Sequence, residues 1–503
     1  MREKNNRILR KKKQKINKRL ERKQWSARSK PMFQAQNIYY EMAEKVRATG
    51  CGAIGAFHQL AQNTGLIRAI DDNLHLLKRH LPYHESDHVL NIAYNTLAGG
   101  TCLDDIELRR NDEAYMDALF AQRIPDPTTA GDFTRRFSER DVLVLMDAIN
   151  AVRPKIWKKR LKGSERKEAI LDVDGTLAPT SGECKEGMGL SYNGVWGYHP
   201  LLISLANTME PLYLVNRSGN RPSHEGAAEW LDRAVELARK SFERVCLRGD
   251  TDFALTTNFD RWTEDGVRFA FGMDSRENVV RIAETLDRRR WRVLKRREKS
   301  SDDRERRQRP VNVKEQIVVK KEYKNITLQK EHVAEFSYRP VKCSRSYRVI
   351  VLRKKLSVER GQILLWEEVR YFFYITNIEE MLPAEVVFFC NDRCNQENLI
   401  EQLKSGLHAL RMPVSDLVSN WAYMVMASCA WTLKAWFALL VRSRDQRDEL
   451  IRMEFRRFLN TIMLLPAQII RTRRRIVFRL LGYNHWSRTF LQTCDTIRRL
   501  RLA

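Results

Sequence analysis

Three acidic residues have the type and setting to do chemistry: Asp174, Asp250 and Glu397. The first two each close a short apolar run, in Ile-Leu-Asp-Val-Asp-Gly-Thr (170–176) and Val-Cys-Leu-Arg-Gly-Asp (245–250). Such runs read as buried strands, and α/β sheets present ligand groups at the carboxyl ends of strands. The third sits in a helical stretch. At about 100° per residue, Cys390, Arg393, Glu397 and Lys404 project into one narrow sector. Three carboxylates from separate elements are what a pair of divalent cations needs. Two such ions about 4 Å apart activate a water and stabilise a departing oxygen at a phosphodiester. Asp172 lies two residues before Asp174 and faces the same way. A buried carboxylate at a strand end is costly unless a charged partner or a metal offsets it, so a metal is expected to account for both aspartates. Taken alone, the 390–404 pattern is better read as a surface helix with an Arg393–Glu397 pair. The two strand-end aspartates favour the site.

These residues lie in a strongly basic chain of 503 residues, with 90 Lys and Arg against 63 Asp and Glu, a formal net charge of +27. That excess suits a polyanion, and phosphodiester chemistry beside it points to DNA. The length implies roughly two to four domains. Nine cysteines are scattered without zinc-finger spacing, which reads as reduced thiols in a cytosolic protein. The first 30 residues have no apolar signal segment. Residues 421–441 are nearly all apolar and long enough to span a bilayer, but Lys434 lies well inside them, so a buried helix and no membrane association are expected.

The elements that must position the site follow from periodicity. Residues 1–35 form a basic arm, disordered or helical on binding, with phosphate contact as the use and a solvated tail as the alternative. Residues 36–165 are expected to be an α-helical DNA-binding domain. Within it, Thr129-Ala-Gly-Asp132 has the form of a capping box and starts a helix carrying Arg135, Arg136 and Arg140. That helix is either a DNA-reading helix or an ordinary amphipathic one. His80, His84 and His88 are spaced as a metal face would be, but Pro82 interrupts any helix, so exposed polar histidines are expected. Residues 166–275 alternate strands (169–173, 200–206, 212–215, 244–247, 269–273) with a helix at 226–242, an α/β layout. A second basic run (287–309) precedes period-2 patterns at Gln316-Ile-Val-Val-Lys, Ser346-Tyr-Arg-Val-Ile-Val-Leu and 369–375, making 276–384 a β-rich insertion. After it the chain reads as helical to the end, with 385–440 returning to the core and 441–503 a basic helical region.

Asp174-Gly-Thr, Leu247-Arg-Gly-Asp250 and Cys390-x2-Arg393-x3-Glu397-x6-Lys404 resemble bacterial insertion-sequence transposases of the DDE class. The group in question has a Tyr-x2-Arg-x3-Glu-x6-Lys signature and a β-strand insertion ahead of the Glu. Tyr192-Asn-Gly-Val-Trp-Gly-Tyr-His-Pro-Leu and Tyr371-Phe-Phe-Tyr-Ile-Thr-Asn also look like segments of that group. The likeness runs from about residue 60 to 467. It implies an α/β RNase H-like catalytic core in which Asp174, Asp250 and Glu397 hold two Mg²⁺ ions (Mn²⁺ substituting), one at Asp174/Asp250 and one at Asp174/Glu397. Arg393 and Lys404 would contact DNA phosphates. Asp174 is favoured as the ligand, with Asp172 as an auxiliary acid. Cut-and-paste transposition is implied: a nick at the terminal inverted repeat, a hairpin, and strand transfer into target DNA by a homodimer acting on the nucleoid in the cytoplasm. Cys390 departs from the signature, which has Tyr there.

Two other readings remain. Leu171-Asp-Val-Asp-Gly-Thr-Leu resembles the nucleophile motif of haloacid-dehalogenase-like phosphatases, with Asp172 attacking phosphorus and Asp174 as general acid/base. That family's later motif wants an Asp at position 254, which is Ala. The other is a DNA-binding protein with a decayed catalytic core. Metal-dependent nicking of DNA is expected only of the transposase, and its absence would favour one of the other two.

Overall fold

The computed structural model describes residues 2–502 apart from 22–34, 36–37, 43, 46, 181, 183, 192, 297–323, 361–362 and 473–474. The expected strand at 316–320 and the second basic run beyond residue 296 therefore lie outside the described residues.

The architecture is mixed α/β, organised on one large sheet. Five strands form its first half: β1 Glu168–Gly175, β2 Leu201–Leu205, β3 Glu210–Val215, β4 Arg244–Gly249 and β5 Arg268–Met273. Their spatial order is β3-β2-β1-β4-β5. β1 runs antiparallel to β2 and parallel to β4, and β5 is parallel to β4. Every residue of β2 and β3 is buried, as expected of strands covered on both faces. Four more strands extend the same sheet beyond β5: β6 Arg292–Val293, β7 Lys324–Tyr338, β8 Tyr347–Arg360 and β9 Ile363–Thr376. β9 pairs antiparallel with β5, so the insertion is hydrogen-bonded to the first half of the sheet.

The helices that matter here are α1 Arg2–Leu20, α2 Leu66–Asn73, α3 Glu85–Leu97, α4 Pro127–Thr134, α5 Glu139–Arg160, α6 Ala227–Arg239, α7 Pro383–Asn391, α8 Cys394–Glu401 and α9 Leu417–Leu439. Residues 2–20 of the basic arm form α1, and Lys12 Nζ in it donates to the Leu481 carbonyl at 2.6 Å. The apolar stretch 421–441 falls largely in α9, which is buried from Ser419 to Leu439. Lys434 there donates to the Ile451 carbonyl at 3.0 Å and lies 3.7 Å from the Trp431 ring, and burial pushes its amine pKa well down. Among the described residues no helix is long and apolar enough to cross a membrane.

Several expectations are corrected. α4 is not capped by Thr129 and Asp132. Asp126 accepts from the Thr129 backbone N at 2.8 Å with Pro127 at the first helical position, a stronger start signal. α4 then ends at Thr134, so Arg135 caps it, Arg136 follows in a turn, and Arg140 belongs to α5. The three arginines do not share one helix. His80 and His84 are exposed, but His88 is buried within α3 and stacks on Phe133 at 4.2 Å between ring centroids. The C-terminal region is not helical throughout: Ala467–Thr472 and Arg475–Leu480 pair as a hairpin, joined at its edge by Ala48–Thr49. Arg475-Ile-Val-Phe-Arg-Leu alternates with a half-buried face, which is a strand period.

One buried ion pair ties the helices to the sheet. Glu210 of β3 accepts from Arg153 of α5 at 2.6 Å, from the indole nitrogens of Trp157 and Trp436 at 2.7 and 2.8 Å, and from the Thr208 hydroxyl at 2.5 Å. Removing one partner of such a pair strands the other charge in the core and costs about 3–5 kcal/mol. Glu210→Ala is accordingly expected to lower unfolding stability by that amount in chemical denaturation. A loss below about 1 kcal/mol, the scale of an exposed pair, would show that the pair is not structural.

Candidate active site

The site is built at the carboxyl ends of β1 and β4. These strands are parallel neighbours in the register Leu171↔Leu247 and Asp172↔Arg248. Continuing that register by two residues sets Asp174 level with Asp250. The chain then turns sharply: Asp250 caps a short 3₁₀ turn, accepting from the Asp252 backbone N at 3.0 Å. β5 must approach closely here. A Cβ on Gly272 would lie 2.9 Å from the Thr251 nitrogen, so only glycine fits.

Glu397 arrives on α8, which Gln396 fastens to the sheet. Gln396 is buried, and its Nε2 donates to the carbonyl of Leu202, the residue paired with Asp174 across β1 and β2. The continuous helix expected from 390 to 404 is broken into three pieces. α7 stops at Asn391, α8 begins at Cys394, and Lys404 lies in a wide π turn, Gln402–Gly406. The first break has an identifiable cause. In an unbroken helix the Arg393 N–H would bond the Phe389 carbonyl. Arg248 takes that carbonyl instead, donating from Nη1 at 2.6 Å, and the Arg393 N–H turns to the Cys390 carbonyl at 3.2 Å. Arg248 is held for this by Asp172, whose two oxygens accept from it at 2.6 and 2.9 Å. The burial of Asp172 is thus accounted for by a charged partner within the chain, not by a metal as expected from sequence. Cys390 is also buried, and burial pushes its thiol pKa up to about 12.

The consequence is a cluster around Arg393. Its guanidinium donates to Asp174 at 2.9 Å and to Glu397 at 3.0 Å, and lies 3.9 Å from Asp250. Residues 174, 250 and 397 therefore converge on one cation. Burial pushes the Asp174 pKa up to about 7, with Arg393 opposing and the Asp250 and Glu397 charges adding to the rise. Burial also raises Asp250, against Arg393. Burial lowers the Lys404 amine, which the charges of Glu401 and Asp174 partly restore. Arg135 and Arg136 lie elsewhere: Arg135 pairs with Asp132 at 2.6 Å, and among the described residues no contact joins either arginine to the carboxylates.

A side chain that sequence reading did not single out also lies here. His199 Nδ1 donates to the Arg221 carbonyl at 2.9 Å, which directs Nε2 toward Gly175, where a Cβ would lie 2.9 Å away. Its place in Gly-Tyr-His-Pro, just before β2, was visible, but nothing in the spacing tied it to Asp174.

Residues 47–502 match the family described as "Transposase DDE domain group 1". The chain belongs to that family. It is a transposase, so DNA is what it acts on, and the family's enzymes are nucleases and strand transferases. Among solved structures, the piggyBac transposase synaptic complex with hairpin DNA is similar over 90% of this chain and 88% of that chain, at 10% sequence identity and a TM-score of 0.37. No curated protein matches the chain.

The Asp174 shift has a stability consequence. Its folded pKa lies above the unfolded value, so its contribution is complete below about pH 4 and is lost as pH rises through about 7. In buffer free of divalent cations, the thermal midpoint should fall across that window, and Asp174→Asn should flatten the slope. An identical slope in the variant would place the titrating group elsewhere.

Proposed function

We propose that this transposase mobilises an insertion sequence by cut-and-paste chemistry in an RNase H-like core. The strand order β3-β2-β1-β4-β5, with β2 alone reversed, supports that fold. The observation that carries the reading is the convergence of three carboxylates, distant in sequence, on the Arg393 guanidinium.

The donors fit divalent cations. Three carboxylates offer oxygen ligands suited to Mg²⁺ or Mn²⁺, and burial, with the Asp250 and Glu397 charges adding to it, raises the pKa of Asp174, so a bound cation would favour its ionised form. Asp174, Asp250 and Glu397 would hold two ions. When bound, these supply an activated water, stabilisation of the departing 3′ oxygen, and the same service to the 3′-OH in strand transfer. The chain's own residues do the rest. Asp174 releases its remaining proton near pH 7. Arg393, now spanning the carboxylates, swings to a DNA phosphate, an exchange that Arg makes readily because its fork fits either anion. Lys404 holds a neighbouring phosphate. Asp172 acts through Arg248 on the helix break that aims Arg393. The helical region, with Arg135, Arg136 and the basic arm, contacts the terminal inverted repeats. A homodimer holds the two ends together, acting on nucleoid DNA in the cytoplasm, with a hairpin at the second strand.

The phosphatase reading fares worse. Its nucleophile would be Asp172, which is 1% exposed and has both oxygens on Arg248.

Asp174→Ala, Asp250→Ala and Glu397→Ala should each abolish Mg²⁺-dependent nicking of terminal-repeat DNA while leaving gel-shift binding largely intact. Binding lost together with cleavage would refute the assignment. Arg393→Ala should weaken end binding, and unchanged binding and cleavage would remove it from the DNA path.

A further inference from the structure

We propose that His80, His84 and Glu85 form a zinc-binding site at the start of α3, separate from the carboxylate centre and selective for a different class of metal. The spacing of His80, His84 and His88 suggested a metal face on one helix, but that helix does not exist. α3 begins only at Glu85, and His88 is committed to Phe133 inside the core. The turn before α3 assembles another set. One ligand atom from each of His80, His84 and Glu85 lies within 4.8 Å of the others.

The three groups differ in a way that suits a binding site. Glu85 is fixed. It is 1% exposed, and its Oε1 accepts from the backbone nitrogens of Leu76 and Leu77 at 3.0 and 2.9 Å. Its Oε2 is turned outward to His80 Nε2 at 3.0 Å. Among the described residues no lysine or arginine pairs with it, so the Oε2 oxygen of a buried carboxylate faces outward with an imidazole as its partner. The two imidazoles are exposed and stacked, with centroids 4.4 Å apart and planes at 17°. Exposed rings can rotate. The backbone beneath His84 is held, since its N–H donates to Asp87 Oδ2 at 2.9 Å.

A tetrahedral zinc ion about 2.0 Å from each donor places the donors about 3.3 Å apart. The three ligand atoms already lie within 4.8 Å of one another, and rotation of the two exposed rings would bring them toward that spacing, with a fourth position left for water. The backbone bonds at Oε1 are the outer contacts that orient a ligating carboxylate. Two imidazoles and one carboxylate suit zinc, whereas Mg²⁺ prefers an all-oxygen set. The ion would join the segment between α2 and α3 to the start of α3, adding to the hydrogen bonds from Leu76 and Leu77 to Glu85 and from Ser86 to Asp71.

The test is calorimetric titration of the metal-free full chain with Zn²⁺, with excess Mg²⁺ present to occupy the carboxylate centre. A single Zn²⁺ per chain should bind and raise the thermal midpoint. His80→Gln and His84→Gln should each weaken binding at least about tenfold, and Asp174→Asn should bind as the parent does. Co²⁺ gives an independent reading: the parent should show the visible absorption of a tetrahedral site, and either His variant should lose it while remaining folded by circular dichroism. Zinc affinity and Co²⁺ spectrum unchanged in both His variants would overturn the proposal. So would zinc binding that disappears in Asp174→Asn, which would move the ion to the carboxylate centre.

Discussion

Three carboxylates gathered at one end of a sheet repel each other, and the arrangement around them depends on what offsets that repulsion. Here the offset is a single guanidinium. Arg393 touches Asp174 and Glu397 and approaches Asp250, yet Asp174 still holds its proton to about pH 7. One cation is too little for two partly buried aspartates with an exposed glutamate beside them. That residual imbalance is a driving force for divalent ions, and it is largest once Asp174 is ionised. Stability and metal affinity are thus coupled through the same side chain, as is common where a site is built at the cost of fold stability.

Arg393 reaches the cluster because of an ion pair that touches no substrate. Asp172 and Asp174 lie on one face of β1, but they perform different work. Asp172 holds Arg248, Arg248 takes the Phe389 carbonyl, and the helix that would have run through residue 393 breaks. Gln396 then clips the new helix to β2 beside Asp174. These three contacts thus set where both Arg393 and Glu397 point. The pair favours Asp174 over Asp172 in the proposed ligand set: an anion with both oxygens satisfied by a buried arginine is a poor metal donor.

Much of this was legible in the amino-acid sequence, and the failures have physical reasons. The apolar runs before Asp174 and Asp250 marked β1 and β4, because strands buried on both faces read as continuous hydrophobic stretches. Lys434 argued for a buried helix over the stretch containing it, and that helix is buried in the core. The helix break at 392–393 was not legible, since its cause is a hydrogen bond from a residue 141 positions away. Without the break, an unbroken helical wheel put Cys390 on the same face as Arg393, whereas Cys390 is buried. At α4 the error was local: Asp126-Pro127 outranks Thr129 as a start, and the signal was on the page. The hairpin at Ala467–Leu480 was hidden because its arginines drew the reading toward charge and away from alternation.

In the proposed mechanism Arg393 occupies the ground that divalent ions would take over. Anomalous diffraction from crystals of the protein grown with Mn²⁺ tests this most directly. Manganese peaks bound by Asp174, Asp250 and Glu397, with the Arg393 guanidinium displaced from them, are the predicted result. Well-ordered carboxylates still closed on Arg393, with no manganese between them at saturating concentration, would contradict it.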